Sequence, residues 1–256
     1  MALAVITGAS SGIGKEFAFQ LAQRGYDLLI VARDEDRLRQ VGEDASTRYG
    51  VKYTILKADL SQIDEIKKVA ATLSNEKTID FLVNNAGFGL NKAFHKTLAE
   101  EEKALLEVLV TAPMLLTQAV IPQMLENKKG YVINIGSVAA WITSGTYSAA
   151  KSWLHSFTES MYAQYSNKGI NFSTVAPGFT KTEFHQRANI NMNTMPKWLW
   201  LEDKRVVLEA IEGVLKNKSL VVPGFQYKTL KILADLMPRA SIRSFSNFYQ
   251  AKRRGN

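Results

Sequence analysis

The chain of 256 residues is 46% hydrophobic and 22% charged, and it contains no cysteine. A chain of this size and balance can bury a substantial core, while the lack of cysteine excludes disulfides, thiolate catalysis and Cys-based metal sites. The formal net charge of +8 favours an anionic partner, which ranges from a phosphorylated cofactor or an acidic protein to nucleic acid or a membrane surface, although no nucleic-acid motif accompanies it.

The sequence shows no sign of a targeting or membrane-spanning segment. The first apolar run starts at Ala2, which leaves no space for a leader peptide. The longest apolar run, around residues 108–116, is shorter than the ~20 residues that a membrane helix needs. We therefore expect a cytoplasmic protein.

Short apolar runs alternate with helical patterns along the chain. The predicted strands are ALAVITG, DLLIVAR, KYTILKADL, FLVNNAG, GYVINIGS, INFSTVAPG and SLVVPG, with helices predicted over 14–24, over 34–49 and between the later strands. Most of these runs are continuously hydrophobic, as expected for strands that helices cover on both faces. The pattern predicts one α/β domain over residues 1–256, with a doubly wound, Rossmann-type parallel sheet of about seven strands.

Two segments lie outside this alternation. Residues 183–202 are predicted to form a substrate lid, and its Met192, Met195, Trp198 and Trp200 suit a lipophilic substrate or anchor the lid to the body. Residues 226–256 are predicted to form a C-terminal helical extension with both apolar and basic side chains. We expect this extension to pack on the domain, and the alternatives are a neighbouring subunit or a membrane surface.

Three glycines stand at the first strand-to-helix junction, in the run TGASSGIG that begins at Thr7. Such a turn lets the backbone approach a pyrophosphate, which the N-terminus of the following helix attracts. Glycine-rich loops also serve as plain turns, but at this position they indicate a dinucleotide site. The predicted cofactor contacts here are Gly8, Ser10, Ser11, Gly12, Ile13 and Gly14.

The end of the second predicted strand bears on the choice between NAD and NADP. NAD sites usually place a carboxylate there for the adenosine ribose, and Ala32 leaves that position uncharged. Arg33 is suited to bind a 2′-phosphate, so NADP is the predicted cofactor and NAD the less favoured one. The acidic run from Asp34 to Asp36 weakens this argument, since it also suits a helix cap that pairs with Arg33 and Arg37.

Tyr147 and Lys151 stand four residues apart in a predicted helix, so their side chains share one helix face. A nearby ammonium favours the phenolate and lowers the pKa of a tyrosine from its usual value of ~10. Ser137, at the end of the preceding strand, brings a hydroxyl to the same place. The pair alone is more typical of a solvated helix face, but beside a dinucleotide loop the three residues predict a site that polarises a carbonyl group.

These motifs resemble those of the short-chain dehydrogenase/reductase family over residues 2–225. TGASSGIG is similar to the family's cofactor loop, Asn84-Asn85-Ala86-Gly87 matches its NNAG motif, and Ser137, Tyr147 and Lys151 match its catalytic serine and YxxxK. The resemblance implies hydride transfer with Tyr147 as the acid or base. It also implies further cofactor contacts from Asp59, Leu60, Asn85, Ala86, Gly87, Tyr147, Lys151, Pro177, Gly178, Phe179, Thr180 and Thr182.

The chain departs from the family pattern in two places. Leu109, thirteen residues ahead of Pro122, replaces an asparagine that in the family helps to hold a water in the proton path. The interval of ten residues between Ser137 and Tyr147 is shorter than in many relatives, and we expect it to reshape only the substrate pocket.

The expected function is that of an NADP-dependent carbonyl reductase or alcohol dehydrogenase for a lipophilic ketone or a 3-oxoacyl compound. The alternative is a non-catalytic NADP-binding sensor or scaffold, which the leucine at position 109 suggests. The helical segments at 100–127 and after Tyr147 carry apolar side chains on more than one side. This predicts burial against a second subunit in a homodimer or homotetramer, and the alternative is that both helices only fill the core of a monomer. The three histidines His95, His155 and His185 lack metal-ligand spacing, so no metal site is predicted.

Overall fold

The computed structural model describes residues 2–90, 92–184, 196–238 and 240–244. Within them, seven parallel strands form one sheet in the order β3-β2-β1-β4-β5-β6-β7. The strands are β1 (Leu3–Thr7), β2 (Asp27–Ala32), β3 (Tyr53–Lys57), β4 (Ile79–Asn84), β5 (Gly130–Ile135), β6 (Ile170–Val175) and β7 (Leu220–Val221). The doubly wound sheet predicted from the sequence is confirmed.

Helices connect the strands and cover both faces of the sheet. The described residues include α1 (Gly12–Ala22), α2 (Glu35–Tyr49), α3 (Ile63–Asn75), α4 (Ala99–Leu106), α5 (Ala112–Glu126), α6 (Gly145–Tyr165), α7 (Asp203–Leu215) and α8 (Phe225–Leu236). Short 3₁₀ turns cover Phe94–Lys96, Val138–Trp141, Ser166–Lys168 and Lys197–Leu199.

The continuous hydrophobic runs of the strands supply both core layers. In β1, Ala4 and Ile6 pack in the layer that contains α1, α2 and α7. Val5, between them, packs in the opposite layer with α3, α5 and α6. Because successive strand residues point to opposite faces, a strand buried on both sides must be apolar throughout.

The helical segment predicted at 100–127 forms one continuous helix. α4 and α5 are joined by a π-helical turn at Glu107–Thr111, so the helix runs without a break over Ala99–Glu126. By its length and its mean hydropathy of 1.9 this helix could cross a membrane. Buried core helices often have the same length and hydropathy. Here Leu105, Leu116 and Met124 are buried in the core layer against the sheet.

Candidate active site

The order of the strands reverses beside β1, where chain connections leave the sheet in opposite directions. β1 lies between β2 and β4, and the loops after β1 and β4 flank a crevice at the carboxyl edge of the sheet. In open α/β sheets this is the place where ligands bind. Three predicted parts of the site lie near this edge: the glycine-rich loop, the NNAG motif, and the end of β5, which leads to Ser137.

The loop between β1 and α1 depends on glycine at specific points. Gly8 has φ of +67° and Gly12 has φ of +53°, a region that side chains disfavour. A Cβ on Gly14 would lie 2.2 Å from the carbonyl oxygen of Gly8. The backbone therefore folds tightly on itself, and the N-terminus of α1 opens directly into the crevice.

The second asparagine of the NNAG motif supports this loop. Asn85 Nδ2 donates hydrogen bonds to the carbonyl oxygens of Thr7 at 2.9 Å and Gly8 at 3.2 Å. The hydroxyl of Thr7 accepts the backbone N–H groups of Asn85 at 3.0 Å and Ala86 at 3.1 Å. These bonds join the ends of β1 and β4, so Asn85, predicted as a cofactor contact, also shapes the loop.

A buried polar network fixes the helix that carries Tyr147. Asn84 Nδ2 donates to Asn134 Oδ1 at 2.8 Å, and Asn134 Nδ2 donates to Thr158 Oγ1 on α6 at 2.8 Å. Asn84 Nδ2 also donates to Thr117 Oγ1 on α5 at 3.2 Å. Sequence reasoning missed Asn134 and Thr158, because nothing in their local pattern distinguishes them from ordinary strand and helix residues.

Ser137, Tyr147 and Lys151 belong to one continuous piece of structure. Ser137 follows β5, and its Oγ accepts the backbone N–H of Ala139 at 3.1 Å, which caps the turn at Val138–Trp141. Ser152 Oγ on α6 donates to the carbonyl oxygen of Ala140 at 2.6 Å. The turn with the serine is thereby fastened to the helix with the tyrosine and the lysine.

Lys151 is buried, with only 4% of its surface exposed. Its Nζ donates to the carbonyl oxygen of Ile135 at 2.6 Å and lies 5.7 Å from the centre of the Tyr147 ring. Burial lowers the pKa of Lys151 to about 7, because the charged form is poorly solvated there. The amine therefore changes charge near neutral pH, next to the phenol that the sequence analysis identified.

Leu109 explains part of this burial. It lies in the π-helical turn and is fully buried. A Cβ placed on Gly87 would be 3.0 Å from Leu109 Cδ2 and 3.9 Å from Lys151 Nζ. The leucine methyl group and the lysine amine thus approach the same glycine, and an apolar side chain stands where an asparagine was expected from the family resemblance.

The segment Pro177–Thr182 lies across the crevice from the glycine loop. A Cβ on Gly12 would be 3.1 Å from Thr182 Cβ, so the two segments touch. Thr180 is buried and forms a parallel bridge with Leu201. Val138 N donates to the carbonyl oxygen of Pro177 at 3.2 Å, which joins this segment to the serine turn.

Tyr227 of α8 holds the same segment from behind and was not identified from the sequence. Its phenol oxygen accepts the N–H of Phe179 at 3.0 Å and donates to the carbonyl oxygen of Leu199 at 2.6 Å. Only 2% of Tyr227 is exposed. A tyrosine in a helix 48 residues away from its partner gives no local signal of this role.

The end of β2 is followed by Arg33, the residue that the sequence analysis predicted to bind a phosphate. Arg33 is exposed, and none of the ion pairs among the described residues involves it. Asp34 instead caps α2 through the N–H of Arg37 and pairs with that arginine, whose Nη1 also lies 2.8 Å from Glu183 Oε2. Among the described residues, the acidic run therefore pairs with other cations, and the pairing with Arg33 that the sequence analysis considered is absent.

Asp59 and Leu60 follow β3. The carboxylate of Asp59 accepts the N–H and hydroxyl of Ser61 at 3.0 and 2.8 Å, which starts the turn into α3. Leu60 is buried in the core layer. Asp59 thus has a structural role in addition to the cofactor contact implied by the family resemblance.

The described part of the predicted substrate wall is aromatic. The rings of Tyr147 and Phe184 are 6.1 Å apart, as are those of Phe179 and Trp200. Met192, Met195 and His185 lie outside the described residues. Two open grooves of about 450 and 420 Å³ lie elsewhere, between α1 and α7 and between α3 and α5.

Comparison with known sequences gives a consistent set of relatives. The sequence model described as short chain dehydrogenase matches residues 2–193. Very-long-chain 3-oxoacyl-CoA reductase of Anas platyrhynchos is 31% identical over 190 residues, covering 71% of this chain and 61% of that protein. Inactive hydroxysteroid dehydrogenase-like protein 1 of Homo sapiens is 31% identical over 191 residues, covering 73% and 58%. The chain spans about three-fifths of the length of these two relatives.

A solved structure with a bound dinucleotide has the same fold. The short-chain dehydrogenase from Sphingobium yanoikuyae in complex with NADPH superposes with a TM-score of 0.84 at 30% sequence identity. The superposition covers 93% of this chain and 97% of that chain. The likeness therefore extends beyond residue 193, where the match to the family ends.

Proposed function

Because the chain belongs to the short-chain dehydrogenase family, we propose that it transfers a hydride between NADP(H) and the carbonyl or alcohol group of a lipophilic substrate. The observation that carries the proposal is the buried Lys151 amine, 5.7 Å from the Tyr147 ring centre. An amine that titrates near neutrality beside a phenol suits proton transfer at physiological pH.

The residues of the crevice fit a nicotinamide dinucleotide. Side chains at Gly8 or Gly14 would collide with Asn85, so glycine at both positions keeps the loop tight, and the N-terminus of α1 favours the negative charge of a pyrophosphate. Residues 177–182 would lie beside the nicotinamide. When bound, the nicotinamide ring supplies or accepts the hydride.

The side chains of the site would handle the proton and the substrate oxygen. Tyr147 donates a proton to the carbonyl oxygen during reduction and accepts one during oxidation. Ser137 Oγ accepts a backbone N–H, which leaves its own hydrogen for the same substrate oxygen, where negative charge develops. Lys151 favours the phenolate when charged, and its remaining N–H groups suit the cofactor's ribose hydroxyls.

We assign NADP rather than NAD on the charge at the end of β2. Arg33 is exposed and pairs with none of the described acidic residues. A guanidinium next to the uncharged Ala32 suits a 2′-phosphate, and position 32 lacks the carboxylate that accepts the two ribose hydroxyls in NAD sites.

A lipophilic ketone or 3-oxoacyl compound is the proposed substrate class. The ring of Phe184 lies 6.1 Å from that of Tyr147, and Phe179 and Trp200 form a second aromatic pair. A relative that shares 31% identity is a very-long-chain 3-oxoacyl-CoA reductase, which agrees with such a substrate. We propose a homo-oligomer as the working form, since Leu106 and Met114 leave apolar surface exposed on α4 and α5.

A non-catalytic cofactor sensor is the second candidate. Leu109 is fully buried beside Gly87 and Lys151, so it places hydrocarbon where a proton-relay water is expected. One relative of similar identity is named an inactive protein. The retained Ser137, Tyr147 and Lys151 favour the enzyme, because binding a dinucleotide does not require all three.

The two candidates differ in turnover. NADPH oxidation by the wild type and by Tyr147→Phe is measured with a panel of aromatic, steroid and acyl ketones. The enzyme proposal expects turnover that the variant loses by about 10²–10⁴-fold while it still binds NADPH. As a matched control, Tyr162→Phe removes a phenol that donates to the carbonyl oxygen of Asn217 and should keep activity. If both proteins bind NADPH and neither reduces any ketone, the sensor is favoured.

A further inference from the structure

One face of α8 and the residue after it present six exposed apolar side chains. We call Phe225, Leu230, Ile232, Leu233, Leu236 and Met237 the outer face of α8. Phe225 and Leu236 are each 78% exposed, and Ile232 is 60% exposed. Positions 225, 232, 233 and 236 are spaced by three, four or seven residues, which aligns them along one side of a helix. Large surface patches of this kind mark interaction sites.

The opposite side of α8 is firmly attached to the active site. Tyr227 is buried and bonds to Phe179 and Leu199. Lys231 pairs with Asp235, and its Nζ lies 5.5 Å from the ring centre of Trp141 in the serine turn. These contacts fix the orientation of α8, so its outer face is held towards the solvent.

An exposed tryptophan lies beside the N-terminal end of α8. Trp198 is 67% exposed, and its carbonyl oxygen accepts a hydrogen bond of 3.2 Å from Gln226 Nε2. The neighbouring Lys197 is exposed as well. Tryptophan and lysine beside leucine and phenylalanine is the composition found where proteins meet the boundary between lipid headgroups and acyl chains.

The charge around this surface is positive. The described residues around this surface carry four basic side chains, Lys197, Lys228, Lys231 and Arg243, and two acidic ones, Glu209 and Asp235. Asp235 pairs with Lys231, and Glu209 Oε2 lies 3.6 Å from Lys228 Nζ, so Lys197 and Arg243 supply the excess positive charge among the described residues. Each basic residue near an anionic bilayer contributes attraction that salt screens.

We propose that the outer face of α8, with Trp198, docks on an anionic lipid surface. The apolar side chains enter the acyl boundary while Lys197 and Arg243 stay at the headgroups. Because the inner side of the same helix holds residues 177–182 and the turn at Val138–Trp141, docking brings the substrate entrance next to the lipid. A lipophilic substrate then reaches the site without crossing water.

Charge favours the lipid surface over a second copy of the chain. A two-fold interface brings the same patch of both copies together. Such a contact through the outer face would place two sets of flanking cations, including Lys197 and Arg243, close to each other. An anionic bilayer satisfies both the apolar face and its cations.

The test is co-sedimentation of the purified protein with lipid vesicles, without substrate or cofactor. Vesicles of phosphatidylcholine alone are compared with an equimolar mixture of phosphatidylcholine and phosphatidylserine, at low salt (about 0.1 M) and high salt (about 1 M). The variant is Leu236→Glu. The control is Leu98→Glu, which makes the same change at an exposed leucine away from α8. Thermal unfolding and NADPH binding verify that both variants are folded.

Docking predicts that the wild type and Leu98→Glu bind the vesicles that contain phosphatidylserine and are released at high salt. Leu236→Glu should bind these vesicles at least about tenfold more weakly. Absence of wild-type binding, or equal binding by Leu236→Glu, would overturn the proposal. So would a dimer in sedimentation velocity that Leu236→Glu dissociates while no vesicles are bound. These readouts involve no turnover, so they are independent of the proposed hydride transfer.

Discussion

The phenol oxygen of Tyr227 accepts the backbone N–H of Phe179 at 3.0 Å, across 48 residues of chain. With its second bond, to the carbonyl oxygen of Leu199, this side chain sets the position of the segment that would lie beside the nicotinamide. The C-terminal helix is therefore part of the construction of the site.

Tyr227→Phe should loosen this segment while the ring still fills its place. Loss of the hydroxyl removes the hydrogen bonds to the N–H of Phe179 and to the carbonyl oxygen of Leu199, which costs about 1–3 kcal/mol of unfolding free energy. We expect a several-fold higher KM for NADPH with an unchanged pH–rate profile. Denaturant unfolding and steady-state kinetics measure both effects. Tyr162→Phe is the matched control, and an equal loss there would show that any phenol matters.

Lys151→Met should stabilise the protein without cofactor while it abolishes turnover. Burial lowers the pKa of Lys151 from 10.5 to about 7, and each unit corresponds to ~1.4 kcal/mol. In the unfolded chain the Lys151 amine keeps its proton up to pH 10.5. Burying the charged amine therefore destabilises the folded protein fully below about pH 7, and this destabilisation disappears towards pH 10.5.

Unfolding of Lys151→Met and the wild type at a series of pH values checks the sign. The advantage of the variant should reach a few kcal/mol near pH 7 and shrink as the pH rises. Lys216→Met, at an exposed lysine, should show no comparable trend. A constant difference across the range would contradict the assigned burial.

Leu109→Asn should increase the rate of proton transfer. A polar side chain next to Gly87 and Lys151 invites water to a place that the leucine methyl group fills. We expect a higher kcat and a smaller solvent isotope effect, against a loss of about 1–3 kcal/mol in unfolding free energy. Leu109→Met keeps the volume and the apolar character, and it should behave like the wild type. An unchanged or lower kcat in Leu109→Asn would show that the leucine does not limit the relay.

Arg33→Ala should discriminate between the two nicotinamide cofactors. Removing a guanidinium from a 2′-phosphate loses a charged hydrogen bond, which corresponds to about tenfold or more in affinity for NADPH and little for NADH. Arg37→Ala provides the comparison, since that arginine is already engaged with Asp34 and Glu183. Fluorescence titration with both cofactors gives the values, and parallel losses for NADPH and NADH would refute the phosphate contact.

Local patterns predicted those parts of the site that depend on residues close together in sequence. The glycine loop and the four-residue spacing of Tyr147 and Lys151 are visible in a single strand-to-helix junction or one helical turn. The continuous hydrophobic strands likewise predicted a sheet covered on both faces. Each of these features follows from backbone geometry over a few residues.

Features that join distant segments were not predictable. The link from Asn134 to Thr158 and the clamp by Tyr227 pair residues whose neighbourhoods exist only after folding. The π-helical turn at Glu107–Thr111 has no sequence period of its own. The C-terminal extension was expected to pack on the domain, and α8 does so with only one side. Phe245 and Phe248, also assigned to that extension, lie outside the described residues.

The contact between Gly178 and Tyr227 couples two positions that the sequence keeps far apart. A Cβ on Gly178 would be 1.8 Å from Cζ of the Tyr227 ring, so an alanine at 178 is tolerated only if the ring is first removed. Gly178→Ala should therefore be far more harmful alone than in a background of Tyr227→Ala. In a library randomised at both positions, the variants that fold should carry a larger residue at 178 only where a smaller residue replaces the tyrosine at 227.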